Sequence, residues 1–237
     1  MVSKRSRDRD SLVPLDAADG SDSRGVGDRA YEDLCEAIVT LRLLPGSLHS
    51  AQELASALGV SAPAIVGAAQ RLSETGLVTV LPRRGVMVAP VDVLDVRQIL
   101  QARLALETKA AELAAQDALP SKVEELRNLE ERLRREVLDT DDFRVFLARD
   151  LEFHRTVASV GDNRFISGAL ERVWTVSMRL WYVYFTQCGA REIYDQPHKP
   201  VVAAILAGDA EAASRSMREH LSASAQILVE GLWGIRP

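Results

Sequence analysis

The chain has 237 residues, 47% hydrophobic and 27% charged, with a formal net charge of −5. That length allows two domains with separate cores, and the acidic balance excludes a generally cationic protein that coats nucleic acid, though not a local basic patch. Cys35 and Cys188 fit no metal or redox spacing, which suits a reduced compartment. The N-terminus has no apolar signal core, and the longest apolar stretch, residues 173–185, is broken by Arg179 and too short for a bilayer. A cytoplasmic protein without a membrane partner is expected.

Residues 1–27 are rich in Ser, Asp, Arg and Gly and read as a disordered tail; its basic start, Lys4-Arg5-Ser6-Arg7, reads as a solvated end. From Asp28 the pattern turns helical. Tyr31, Leu34, Cys35, Ile38 and Leu41 recur at three- and four-residue steps, and Pro45-Gly46 marks a turn after them. A short helix over 51–58 follows, then Gly59, suited to the left-handed conformation that ends a helix, and Ser61, suited to cap the next. That helix, 62–75, turns Ile65, Ala68, Ala69 and Leu72 inward. Two helices joined by a tight glycine turn make a helix-turn-helix, whose second helix can enter a major groove. Strands over 77–81 and 86–88, joined through Pro82-Arg83-Arg84-Gly85, form a hairpin read as a wing with Arg83 and Arg84 at its tip.

After a short linker at Pro90-Val91 the chain reads as all helical: 93–117, 122–138, 143–160, 164–187, 191–207 and 210–232. Val123, Leu126, Leu129 and Leu133 form the inward stripe of the second of these, and Trp174, Trp181, Tyr182 and Tyr184 fall at helical spacing as core or dimer packing. Four residues of this half stand out. Asp150 and His154 are an i, i+4 pair on one helix face, and His198 and His220 lie in two later helices. The chain has only four histidines, and three are in this set. Three imidazoles and a carboxylate suit a divalent metal such as zinc, nickel, manganese or iron; the alternative from spacing alone is one core histidine among solvated polar residues.

Residues 31–88 resemble the winged helix-turn-helix of the GntR family of bacterial transcription regulators. Leu44-Pro45-Gly46, Glu53-Leu54-Ala55, Leu58-Gly59-Val60-Ser61, Arg71-Leu72, Gly76-Leu77-Val78 and Arg83-Arg84-Gly85 carry the likeness. The C-terminal half is similar to the FCD domain of the family's FadR branch through Arg103, Leu106-Glu107, Asp150-Leu151-Glu152-Phe153-His154, Asn163, His198, Gly208-Asp209-Ala210 and His220-Leu221. The resemblance implies a mostly α fold: a winged helix-turn-helix over 28–90 and an antiparallel helical bundle over 91–237 that dimerises. It implies a regulator, more often a repressor, that binds operator DNA through Ser61, Gln70, Arg71, Arg83, Arg84 and Gly85. A divalent metal, zinc foremost, would sit on Asp150, His154, His198 and His220, and a small organic acid would be held there with Arg103 and Asn163.

One departure is marked. Where the family commonly carries two DNA-contacting arginines on the recognition helix, this chain has Ala62 and Val66, with Gly67 beside them. Between Asp28 and Pro90, Arg29, Arg42, Arg71, Arg83 and Arg84 face six acidic residues, a net of −1, unlike the usual footprint of a DNA reader. Two other readings of the C-terminal site stay open: a purely structural metal, and a metal-dependent enzyme in which the ion activates water.

Overall fold

A computed structural model describes residues 25–117, 120–138, 142–189 and 198–234. All but the last three residues of the expected tail lie outside that range. Helix α1 spans Val26–Val39 and buries Ala30, Leu34, Ala37, Ile38 and Val39. It ends before Leu41, whose φ of 60° takes it out of the helix expected to include it. Helix α2, Ala51–Leu58, starts on a capping box in which Ser50 and Glu53 satisfy each other's backbone N–H. Gly59 ends it at φ 67°, in the left-handed conformation its sequence position calls for. Helix α3, Ala62–Ser73, is capped by Ser61, whose hydroxyl accepts from the Ala64 N–H.

The wing holds more than the expected hairpin. Strands β2 (Val78–Leu81) and β3 (Gly85–Val88) pair antiparallel, and β1 (Leu48–His49) adds to the other edge of β3, giving the order β1-β3-β2. Two residues are too few to show an alternating pattern, so β1 is invisible to periodicity. It also fixes Gly85. At φ 117° that residue lies against β1, and an added Cβ would fall 2.2 Å from the His49 carbonyl oxygen, which cannot move aside. Gly85→Ala is expected to destabilise the winged region by about 1–3 kcal/mol; an unchanged melting temperature would show that the wing tolerates the clash.

Six helices follow among the described residues: α4 (Val93–Asp117), α5 (Pro120–Leu138), α6 (Phe143–Val160), α7 (Arg164–Cys188), α8 (Lys199–Leu206) and α9 (Ala210–Trp233). Helix α8 is shorter than expected and begins after His198; residues 190–197 lie outside the described range. Of the stripe expected on α5, Leu126 and Leu129 are buried, while the side chains of Val123 and Leu133 lie outside the description.

One buried cluster fills the winged region around Leu34, Ile38, Ile65, Leu72 and Leu77; full burial of each such side chain contributes about 1.5–3 kcal/mol. Two clusters fill the bundle. The first gathers Phe146, Trp174, Trp181, Tyr182, Tyr184 and Phe185, so the four aromatics of α7 are core. The second surrounds Phe153 with Val157, Val201, Ile205, Met217 and Leu221. Helix α7 also touches the winged core through Val176. Fully buried Arg179 donates from Nη1 to the Ala89 carbonyl at 2.9 Å, tying the linker to α7.

Candidate functional site

Four helices bring Asp150, His154, His198 and His220 together, with their candidate ligand atoms within 4.8 Å of one another. Asp150 and His154 stand one turn apart on α6, as their spacing requires. His198 is the residue that caps α8, and His220 faces inward from α9. The Asp150 carboxylate lies 3.1 Å from His198 Nε2 and 3.7 Å from His154 Nε2, and His220 Nε2 is 3.4 Å from His154 Nε2. Fully buried Phe153 forms one wall, stacked on His198 at 3.9 Å between ring centroids and edge-on to the other two imidazoles.

Behind this cluster lies an ion-pair network on α4. Arg103 and Glu107 are a buried i, i+4 pair, with Nε donating to Oε1 at 2.5 Å. The second Glu107 oxygen sits 2.5 Å from His154 Nδ1. That contact fixes the tautomer: the Nδ1 proton points at Glu107, and the Nε2 lone pair points into the cluster. Arg103 reaches the same Nε2 with Nη2 at 3.3 Å and donates from Nη1 to Ser177 Oγ on α7 at 3.3 Å. Reading the sequence did not give Glu107 a role in the site. Its position four residues after Arg103 was the available signal.

Electrostatics keep the set in ligating form. Burial alone would raise the carboxyl of Glu107, but Arg103 and His154 outweigh it and lower it to about 2. Burial likewise opposes ionisation of Asp150, and the three histidines overcome it, holding that carboxyl well below its usual range. His220 is pushed well below 6.5 by burial, then by His198 and His154, so it is neutral at physiological pH. These residues fit a divalent ion. The bare Nε2 atoms of His154 and His220 face each other at 3.4 Å beside an ionised carboxylate, an arrangement that a cation between them would relieve.

Not every residue expected at the site is there. Asn163 follows the end of α6, and its side-chain oxygen accepts from the Phe165 and Ile166 N–H groups, capping α7. That cap explains its place in the chain without an effector. In the winged region, Gln70 is exposed on α3 and Arg83 and Arg84 are exposed at the wing turn. Arg71 is engaged elsewhere: Nη1 donates to Asp28 at 2.9 Å and the guanidinium lies 4.2 Å over the Tyr31 ring, bracing α3 against α1.

Comparison with known proteins matches this architecture. Residues 27–88 match the description "Bacterial regulatory proteins, gntR family" and residues 98–223 match "FCD domain". An HTH-type transcriptional regulator of Agrobacterium vitis is 32% identical over 155 residues, covering 64% of this chain and 91% of that one. The HTH-type transcriptional repressor RspR of Escherichia coli is 27% identical over 198 residues, 83% of this chain and 86% of its own. The fold is shared with Escherichia coli McbR/YncC, at a TM-score of 0.75 and 21% identity over 87% of this chain and 98% of that one. These relatives are transcription regulators and not enzymes, and among the described residues no helix is long and apolar enough to cross a membrane. The chain belongs to the GntR family of bacterial regulatory proteins, as a DNA-binding transcription regulator that joins a winged helix-turn-helix to an FCD domain.

Proposed function

We propose that this regulator is a cytoplasmic homodimeric repressor that responds to a small organic acid at a divalent-metal site, zinc being the best match to its donors. Residues 28–90 read the operator and residues 91–237 sense and dimerise. The observation that carries the reading is the convergence of one carboxylate and three imidazole Nε2 atoms beside a buried guanidinium. The repressor sense is supported by the similarity to RspR. When bound, a divalent ion supplies positive charge and an open position for one carboxylate oxygen. Arg103 is placed to hold the other oxygen through Nη2, since its Nε is committed to Glu107.

Helix α7 gives this site a route to the DNA-reading half. It carries Ser177, which accepts from Arg103, and two residues later Arg179, which holds the linker at Ala89. An acid that redirects Arg103 shifts the balance between two arrangements of the linker only as far as it binds one of them better.

The test is operator binding by the full chain, metal-loaded and metal-stripped, against a panel of small mono- and dicarboxylates. A carboxylate should change operator affinity by roughly 5- to 150-fold, and only with metal present. If stripping metal lowers the melting temperature but no carboxylate alters DNA binding, the metal is structural and the sensor reading fails.

A further inference from the structure

The outward face of α3 is made of Pro63, Val66, Gly67, Gln70, Arg71 and Ser73. Val66 is a large apolar side chain left 42% exposed, and Gln70 follows it by one turn on the same face. Arg71 is the sole cation of α3, and it is held by Asp28 and Tyr31. No cation of this helix is therefore free to reach a base edge. Guanine is read in the major groove chiefly by arginine or lysine on its O6 and N7. Adenine is read by glutamine or asparagine on N6 and N7, and thymine alone presents an apolar methyl group.

Gly67 adds an independent observation. A glycine inside a helix costs about 1 kcal/mol relative to alanine, and here no heavy atom lies within 4 Å of the place a Cβ would take. Nothing in the protein itself requires glycine at that position. A partner that approaches the helix backbone closely would.

We infer that α3 reads A·T rather than G·C pairs: Val66 against a thymine methyl, Gln70 on an adenine one turn along, and Gly67 letting the helix backbone lie close to the base edges. Arg83 and Arg84 on the exposed wing turn supply sequence-independent phosphate contacts. The inference rests on the chain being a sequence-specific DNA binder, which its winged helix-turn-helix supports.

The experiment selects duplexes from a random pool with the full-length protein, then measures affinity for the selected site and for copies with single thymines replaced by deoxyuridine, which lacks the methyl group. A·T pairs should occupy the contacted core of each half-site. Loss of one contacted methyl should weaken binding about fourfold. Gln70→Ala, at an exposed position, should weaken binding about tenfold or more and erase the adenine preference at one pair. Gly67→Ala should raise the melting temperature while lowering operator affinity.

Selection of G·C pairs at the core, or indifference to both uracil and Gln70→Ala, would overturn the inference while leaving sequence-specific binding intact. Failure to select any sequence would overturn the DNA-reading premise, and the inference with it. Unchanged affinity of Gly67→Ala would remove the close backbone approach.

Discussion

Replacing Glu107 by alanine is expected to lower the stability of the chain by about 3–5 kcal/mol, the range for removing one partner of a buried ion pair. Both members of the Arg103–Glu107 pair are essentially inaccessible, at 4% and 2% exposure, so the guanidinium left behind has no water to turn to. Ser177 gives it one neutral acceptor, too little to replace a carboxylate. For a chain of this size the change corresponds to a fall in melting temperature of roughly 6–20 °C. Glu107→Gln keeps the shape and removes the charge, and should lie between native and alanine. It should also reduce divalent-metal affinity about 10- to 100-fold, the usual effect of losing the carboxylate behind a ligating imidazole. Unfolding of both variants at the native denaturant midpoint would mean that Glu107 does not hold Arg103, and the proposed clamp would lose its anchor.

His198→Ala should separate metal binding from folding. The ring lies at the edge of the cluster, with its side chain 13% exposed, contributing Nε2 to the ligand set and a face to Phe153. Loss of that stacking costs about 0.5–1.5 kcal/mol, a small effect next to the Glu107 variant. Divalent-metal affinity, in contrast, should fall at least about 100-fold, because a lost ligand exceeds the effect of a lost supporting residue. Competition against a chromophoric chelator reads the affinity, and thermal unfolding of the metal-free protein reads the fold. Native affinity and stoichiometry in the variant would remove His198 from the ligand set and leave Asp150, His154 and His220 to be tested alone.

These two residues also mark the difference between what spacing reveals and what it conceals. Asp150 and His154 were legible as a pair because helix geometry fixes the relation of residues four apart. The same rule applies to Arg103 and Glu107, yet an arginine four residues before a glutamate is also the ordinary pattern of a solvated helix face. Only burial distinguishes the two cases. Arg71 and Asn163 illustrate the converse. Each had a residue type suited to binding, and the fold turned one toward Asp28 and Tyr31 and the other toward the first turn of α7.

By itself the sequence determined the elements, the two-part architecture and the four residues of the metal cluster. Apolar periodicity, glycine turns and cap residues act within a few positions of the chain, so they can be read from neighbours alone. The tertiary structure decided which of those residues meet. It joined β1 to the wing, placed Glu107 behind His154, withdrew Arg71 from the recognition face and left Val66, Gly67 and Gln70 to form it. The reason is that burial and pairing between distant segments depend on the packed arrangement of helices, which no local pattern in the chain encodes.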